Sequence, residues 1–293
     1  MKKGLLFLIG ALVLLAAGAL FFTVSPKTAA SLVVVSGYVP YTLVSEISGG
    51  NVKPEMLLPP GAEPHSFEPA PGTMVAVHNA RAFIYVSNQL EPWAKDVLGA
   101  AGPQTRVVAL ADNIPPQDDP HVWMDFDPMR QLARTVADVL TDMDPANASV
   151  YEKNLKQFEQ QISTLDSDFA RQLSSCESRE VVHVGHLAFG GLAKRYHLSL
   201  TALTGTSHDG EHSPRKLAEL IKHIRRARVK ALFTEDALSP RLAQTVAAET
   251  GTQILPLYTV EDVSKDDFTR GVTYEELMRR NLASLTRGLS CKK

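Results

Sequence analysis

From residue 31 onwards, short runs rich in Val, Leu and Ile alternate with stretches whose apolar positions recur every three or four residues. This is the pattern of an α/β fold. The runs predict a first set of strands at Leu32–Ser36, Lys53–Leu58, Ala82–Val86 and Arg106–Leu110. A second set follows at Glu180–Gly185, Leu198–Leu203, Val229–Thr234 and Gln253–Leu257. Between members of the second set the spacing predicts helices near Ala188–Tyr196, Ser213–Arg226 and Pro240–Gly251. Ser213-Pro214 is a helix start, a capping residue followed by proline at the first helical position. A further helix is expected to begin near Pro128.

The two sets are separated by one long amphipathic stretch. Tyr151, Leu155, Phe158, Ile162, Leu165, Phe169 and Leu173 recur at spacings of four and three, so they share one face of a helix. Glu152, Lys153, Glu159, Asp166 and Asp168 fall elsewhere on it. Asp144-Pro145 and Asn147 mark its start, and no Gly or Pro interrupts it before Cys176. Placed between two similar α/β halves, it reads as a stiff inter-domain helix rather than a coiled coil. No sequence repeat relates the halves.

The N-terminus departs from this alternation. Met1-Lys2-Lys3 precedes an uninterrupted apolar run from Leu5 to Phe22, and Thr28-Ala29-Ala30 offers small residues for cleavage, the layout of an export signal. An uncleaved anchor is the alternative, since such a run is at the margin of what spans a bilayer. No Leu-x-x-Cys ends the run, which argues against a lipoprotein anchor. Either way the rest of the chain is expected outside the cytoplasmic membrane, and loss of residues 1–30 shifts the net charge from −2 to −5. The remaining charge is scattered apart from a short basic run at Lys222–Arg228, so no nucleic-acid surface is expected. The two cysteines, Cys176 and Cys291, are isolated; export makes a single disulfide between them plausible, and two isolated cysteines argue against a thiolate metal site.

Candidate chemistry therefore rests on histidine and carboxylate. His65 lies in GAEPHSFEPAPG, where Pro59, Pro60, Pro64, Pro69 and Pro71 oppose a helix and Gly61 and Gly72 supply turns, so a stiff loop that aims a side chain is expected. His121, in DPHVWMD, and His186, in VVHVGHLAFGG, also fall at strand or helix ends, where open α/β sheets bind ligands. The other histidines have plainer readings. His78 sits in a helical segment, His183 inside a strand as a hydrogen-bonded core residue, His197 at a helix end, and His223 on a solvated basic face. His208 and His212, in SHDGEHSP, could hold metal weakly but read better as the loop before the Ser213 cap. There is no HExxH, GxSxG, P-loop or GxGxxG motif and no dedicated general base, which ranks a zinc hydrolase low.

Several of these segments, in order, resemble the zinc- and manganese-binding extracytoplasmic solute-binding proteins of ABC importers. GAEPHSFEPAPG is similar to their first ligand loop, SNQLEPW to a Glu-x-Trp helix start, and DPHVWMDFDP to the second ligand loop. NASVYEKNLKQF resembles the start of their long inter-domain helix, HLAFGGLAKRYHL the third ligand segment, and LFTEDALSPRLAQTVAAETG the strand–helix unit before the fourth. The resemblance implies two α/β lobes, each with a small, mostly parallel four-stranded sheet, joined by one long rigid helix. It divides the chain into a signal or anchor (1–30), an N-terminal lobe (31–145), a linker (146–176) and a C-terminal lobe (177–293). It also implies a metal held between the lobes by His65, His121 and His186, and histidine at the third position is similar to the zinc branch; imidazole suits zinc as oxygen suits manganese.

Two features depart from the family pattern. The loop before the second ligand is only NIPPQDDP, without histidine. The fourth ligand, an Asp just after the last strand in the family, faces Val260, Glu261 and Asp262 here, one position out of register. Glu261 is taken as that ligand, with Asp262, Glu63 or water as alternatives. The implied function is capture of Zn2+ as cargo and its delivery to an ABC transporter membrane permease, with manganese, iron or a metal chelate as alternative cargo. Contact with the membrane is expected only through the N-terminal segment or that permease.

Overall fold

Among the described residues, apolar runs too short for helices form eight strands, with helices crossing between them. Val33–Val35 and Ala82–Tyr85 are buried throughout, while Arg106–Ala109 and Gln253–Pro256 are partly exposed. A computed structural model describes residues 33–115, 118–206, 214–235 and 240–292; the expected export segment at 1–30, and His208 and His212, lie outside these residues. The first sheet contains β1 (Val33–Val35), β2 (Glu55–Met56), β3 (Ala82–Tyr85) and β4 (Arg106–Ala109), in the order β2-β1-β3-β4. The second contains β5 (Glu180–His183), β6 (Ser199–Ala202), β7 (Ala231–Thr234) and β8 (Gln253–Pro256), in the order β6-β5-β7-β8. Every strand pair is parallel. Such sheets are covered on both faces, which is why β1 and β3 read as unbroken apolar runs. The strands are shorter than expected, β2 most of all. Its continuation still donates from Leu57 and Leu58 N–H to the Val35 and Ser36 carbonyls, both at 2.9 Å.

The helices are α1 (Tyr38–Ser48), α2 (Pro71–Asn79), α3 (Ala94–Leu98), α4 (Phe126–Met143) and α5 (Ala148–Ser174), then α6 (Gly190–Arg195), α7 (Pro214–Ala227), α8 (Pro240–Thr250), α9 (Lys265–Arg270) and α10 (Tyr274–Gly288). Two expectations are corrected. Pro71 and Gly72 open α2 instead of closing the loop before it, because the fixed φ of proline suits a first helical turn that needs no N–H donor. Helix α4 starts at Phe126, with the Asp125 carboxylate accepting from the Asp127 N–H, two residues earlier than Pro128 suggests.

Helix α5 has 27 residues and spans about 40 Å. Its apolar face buries Tyr151, Phe158, Ile162, Leu165, Phe169 and Leu173, with Leu155 partly covered. That face packs on α1 and α4 from the first half of the chain and on α10 from the second, so one apolar cluster runs through both. Polar ties add to it. Arg195 binds Asp166 of α5 at 2.5–2.9 Å, and Asp125 and Asp127 at the start of α4 at 2.8–2.9 Å. The Tyr196 hydroxyl reaches Asp166 at 2.8 Å. A disulfide between Cys176 and Cys291 fastens the C-terminus to the end of α5.

Candidate metal centre

Four segments leave the carboxyl ends of β2, β4, β5 and β8 and converge at one place, where ligands of parallel sheets are expected. The first carries His65. Its loop is stapled by Trp93, whose indole N–H donates to the Pro64 carbonyl at 2.7 Å and whose ring packs edge-on against Phe67. The Glu63 carboxylate accepts the His65 backbone N–H at 3.0 Å. The Leu90 carbonyl lies 3.1 Å from His65 Nδ1, which fixes the ring proton on that nitrogen. Leu90 is itself held by Glu91, a buried carboxylate that accepts from the Val86 and Ser87 N–H groups at 2.8 and 3.2 Å.

The other two imidazoles are fixed in the same way. Asp119 accepts from both the backbone N–H of His121, at 3.0 Å, and its Nδ1, at 2.6 Å. Its second oxygen accepts from the Gly190 N–H at 3.0 Å, tying the His121 loop to the start of α6. Glu235, just past β7, accepts from the backbone N–H and the Nδ1 of His186 at 3.0 and 2.9 Å. A Cβ on Gly185 would stand 2.2 Å from that same Glu235 oxygen, so only glycine admits the carboxylate.

With each Nδ1 engaged outward, the three Nε2 atoms point at one another. His121 Nε2 lies 3.3 Å from His65 Nε2 and 3.1 Å from His186 Nε2. Glu261 closes the group, its oxygens 3.1 Å from His121 Nε2, 3.0 Å from His186 Nε2 and 3.7 Å from His65 Nε2. Nitrogen atoms about 2.0–2.1 Å from a tetrahedral centre stand roughly 3.3–3.4 Å apart, so the two separations measured from His121 are close to those between zinc ligands. Neither Glu261 oxygen is aligned for a hydrogen bond although both are buried, an arrangement suited to a cation. His121, His186 and Glu261 are buried, and His65 is the least enclosed of the four.

The electrostatics match the geometry. Burial opposes charge on His186, yet Glu235 and Glu261 outweigh it and raise its pKa to about 10. His121 is likewise raised against its burial by Glu261 and Asp119. Burial, helped by the facing imidazoles, lowers His65. Burial alone would raise Glu261, but His121 and His186 hold it well below the usual carboxylate range. Burial also pushes Glu91 up to about 7, against its two backbone donors.

The alternatives for the fourth position lie farther off. Glu63 Oε1 is 3.9 Å from His65 Nε2, and Asp262 accepts from the Thr259 hydroxyl at 3.1 Å, outside the cluster. His183 is a core residue whose Nδ1 donates to the His186 carbonyl at 2.9 Å. His78 is exposed on α2, and His197 follows α6 in the left-handed region. His223 corrects its expectation: half-buried, it meets Glu180 at 3.2 Å, because Leu220 and Ile224 seat α7 on the sheet. Sequence reasoning missed Glu235, Asp119 and Leu90. For Glu235 a signal existed, a carboxylate directly after a parallel strand; for a backbone carbonyl none does.

A profile of the family described as zinc-uptake complex component A, periplasmic, matches residues 33–288. The high-affinity zinc uptake system protein ZnuA of Bacillus subtilis is 28% identical over 281 residues, covering 89% of this chain and 88% of that protein. The zinc-binding protein AdcA of Streptococcus pyogenes is 26% identical over 86% of this chain, which spans only 55% of that longer relative. Among solved structures, the laminin-binding protein Lmb of Streptococcus agalactiae, described as having adhesin and metal-transporting activity, is 30% identical with a TM-score of 0.81, covering 88% of this chain and 99% of its own. The Zn(II)-bound ZnuA-like domain of Streptococcus pneumoniae AdcA is 27% identical with a TM-score of 0.78, covering 88% and 98%.

Proposed function

The chain belongs to the periplasmic zinc-uptake component A family, and on that premise we propose that it is an extracytoplasmic receptor that captures zinc and hands it to an ABC permease. Relatives of the family are zinc-binding components of zinc-uptake systems. His65, His121, His186 and Glu261 are the proposed ligands. The observation that carries this reading is the convergence of three Nε2 atoms and one buried carboxylate, with every Nδ1 committed to a protein acceptor. Three imidazoles and a carboxylate favour zinc over the all-oxygen spheres of harder cations. A hydrolytic zinc site keeps one position open for water, whereas Glu261 stands against both His121 and His186, which supports a carrier over an enzyme.

In this reading residues 1–30 direct export or anchoring, 31–145 and 177–293 act as the two lobes, and 146–176 as their joint. Among the described residues no helix is long and apolar enough to cross a membrane. Metal analysis of untagged protein, followed by zinc titration against a competing chelator, tests the assignment. One zinc per chain is expected, with manganese and iron failing to displace it. His65→Ala, His121→Ala and His186→Ala should each weaken binding severely, and His78→Ala should not. A His65→Ala protein that binds zinc like the parent would overturn the site.

A further inference from the structure

Glu261 reaches the imidazoles from a backbone position that branched residues avoid. Val260, directly before it, is buried and has φ of 69°. In the left-handed region the Cβ of an L-residue crowds the following carbonyl, and a β-branched side chain is worse than most. Among the described residues the other non-glycine positions at positive φ, His197, Arg228 and Ser290, all follow helices, where such a residue closes the last turn. Val260 closes no helix.

What holds it there is visible on both sides. The Asn281 side chain brackets Tyr258, its Oδ1 accepting the Tyr258 N–H at 2.7 Å and its Nδ2 donating to the Tyr258 carbonyl at 2.8 Å. The indole N–H of Trp123, two residues past His121, donates to the Thr259 carbonyl at 2.8 Å. Trp123 is held in turn by the Tyr274 hydroxyl, which donates to its carbonyl at 2.7 Å. Beyond the turn, the Thr259 hydroxyl meets Asp262 at 3.1 Å. Strain of this kind persists only where the surroundings over-determine the backbone. Behind the turn lies a cavity of about 60 Å³ lined by Tyr258, Val260, Asp262 and Asp267, room for the backbone to relax into.

We propose that Val260 is a positioning residue with a release function. Its left-handed conformation aims the Glu261 carboxylate at His121 and His186, and its return to negative φ withdraws that carboxylate and lets the cation go. The proposal rests on the zinc reading above. Val260 and the Trp123 tie make the fourth ligand the removable one, while the three imidazoles stay fixed at their outer nitrogens.

The test compares backbone freedom at constant side-chain loss. Glycine occupies positive φ as readily as negative, whereas alanine keeps the Cβ penalty. Zinc-loaded Val260→Gly and Val260→Ala are mixed with excess chelator and release is followed in time. Val260→Gly should release zinc about five to thirty times more slowly than Val260→Ala, the ratio that a left-handed penalty of roughly 1–2 kcal/mol corresponds to. Val260→Asn against Val260→Thr makes the same comparison without opening space in the core, and asparagine should be the slower. In a Glu261→Gln background both differences should vanish, which a purely structural strain would not produce. Equal release rates, or a difference that survives Glu261→Gln, overturns the proposal while leaving the zinc reading intact. A parent protein that binds no zinc overturns both.

Discussion

Each imidazole of the site is fixed at its outer nitrogen by a different kind of acceptor: a backbone carbonyl for His65, Asp119 for His121 and Glu235 for His186. Such partners set the tautomer and raise the basicity of the inner nitrogen, and their loss typically weakens metal affinity about 10–100-fold. Glu235→Gln should fall in that range, measured by chelator competition, with the fold unchanged by circular dichroism. The pH response follows from the same contacts. An ordinary histidine near 6.5 would leave zinc unopposed above neutrality, but His186, raised to about 10, keeps its proton there. A cation must displace that proton, so affinity should rise about tenfold per pH unit from pH 7 to 9 instead of levelling off. Calorimetry in buffers of different ionisation enthalpy should detect about one proton released per zinc; no release would contradict the charge state assigned to His186.

At the scale of elements, the prolines of the His65 loop explain its stiffness but not its aim. Trp93 supplies the aim, through a buried hydrogen bond to the Pro64 carbonyl and the edge contact with Phe67. Trp93→Phe keeps an aromatic ring and removes the donor, leaving a carbonyl without its partner, a loss of roughly 1–3 kcal/mol. Expected are a lower melting temperature, faster amide exchange across residues 61–68, and weaker zinc binding despite intact ligands. Unchanged exchange in that loop would show that the prolines alone suffice. The Glu261 turn is the opposite case, with no proline and with its backbone held from outside by Asn281 and Trp123.

Across the whole molecule, both halves share one apolar cluster along α5, a 27-residue helix with neither glycine nor proline. Arg195 adds a cross-tie from α6 to α5 and to the start of α4, and Asp119 another from the His121 loop to α6. A hinge motion would break these contacts together. Small-angle scattering of metal-free and zinc-loaded protein should therefore give nearly coincident profiles, with change confined to loops. A large shift in radius of gyration would require α5 to bend or its packing to part.

Local rules along the chain were enough to determine the elements that carry the site. Short apolar, β-rich runs located the eight strands found among the described residues, and three-four periodicity located α5 without reference to any partner. Proline and glycine placement marked the His65 loop, strand and helix ends marked His121 and His186 as candidates, and it was the family resemblance that joined these three as ligands and added Glu261. These are properties of near neighbours, and near neighbours are what a sequence displays. Asp119 stands two residues from His121, but the tertiary structure alone decided which groups turn the other two imidazoles inward. Leu90 is 25 residues from His65, Glu235 is 49 from His186, and Trp123 is 136 from Thr259. It also put Val260 at a positive φ that no local preference of valine would select. Such a conformation is held only by contacts from distant elements, so it exists once the whole chain has folded around it.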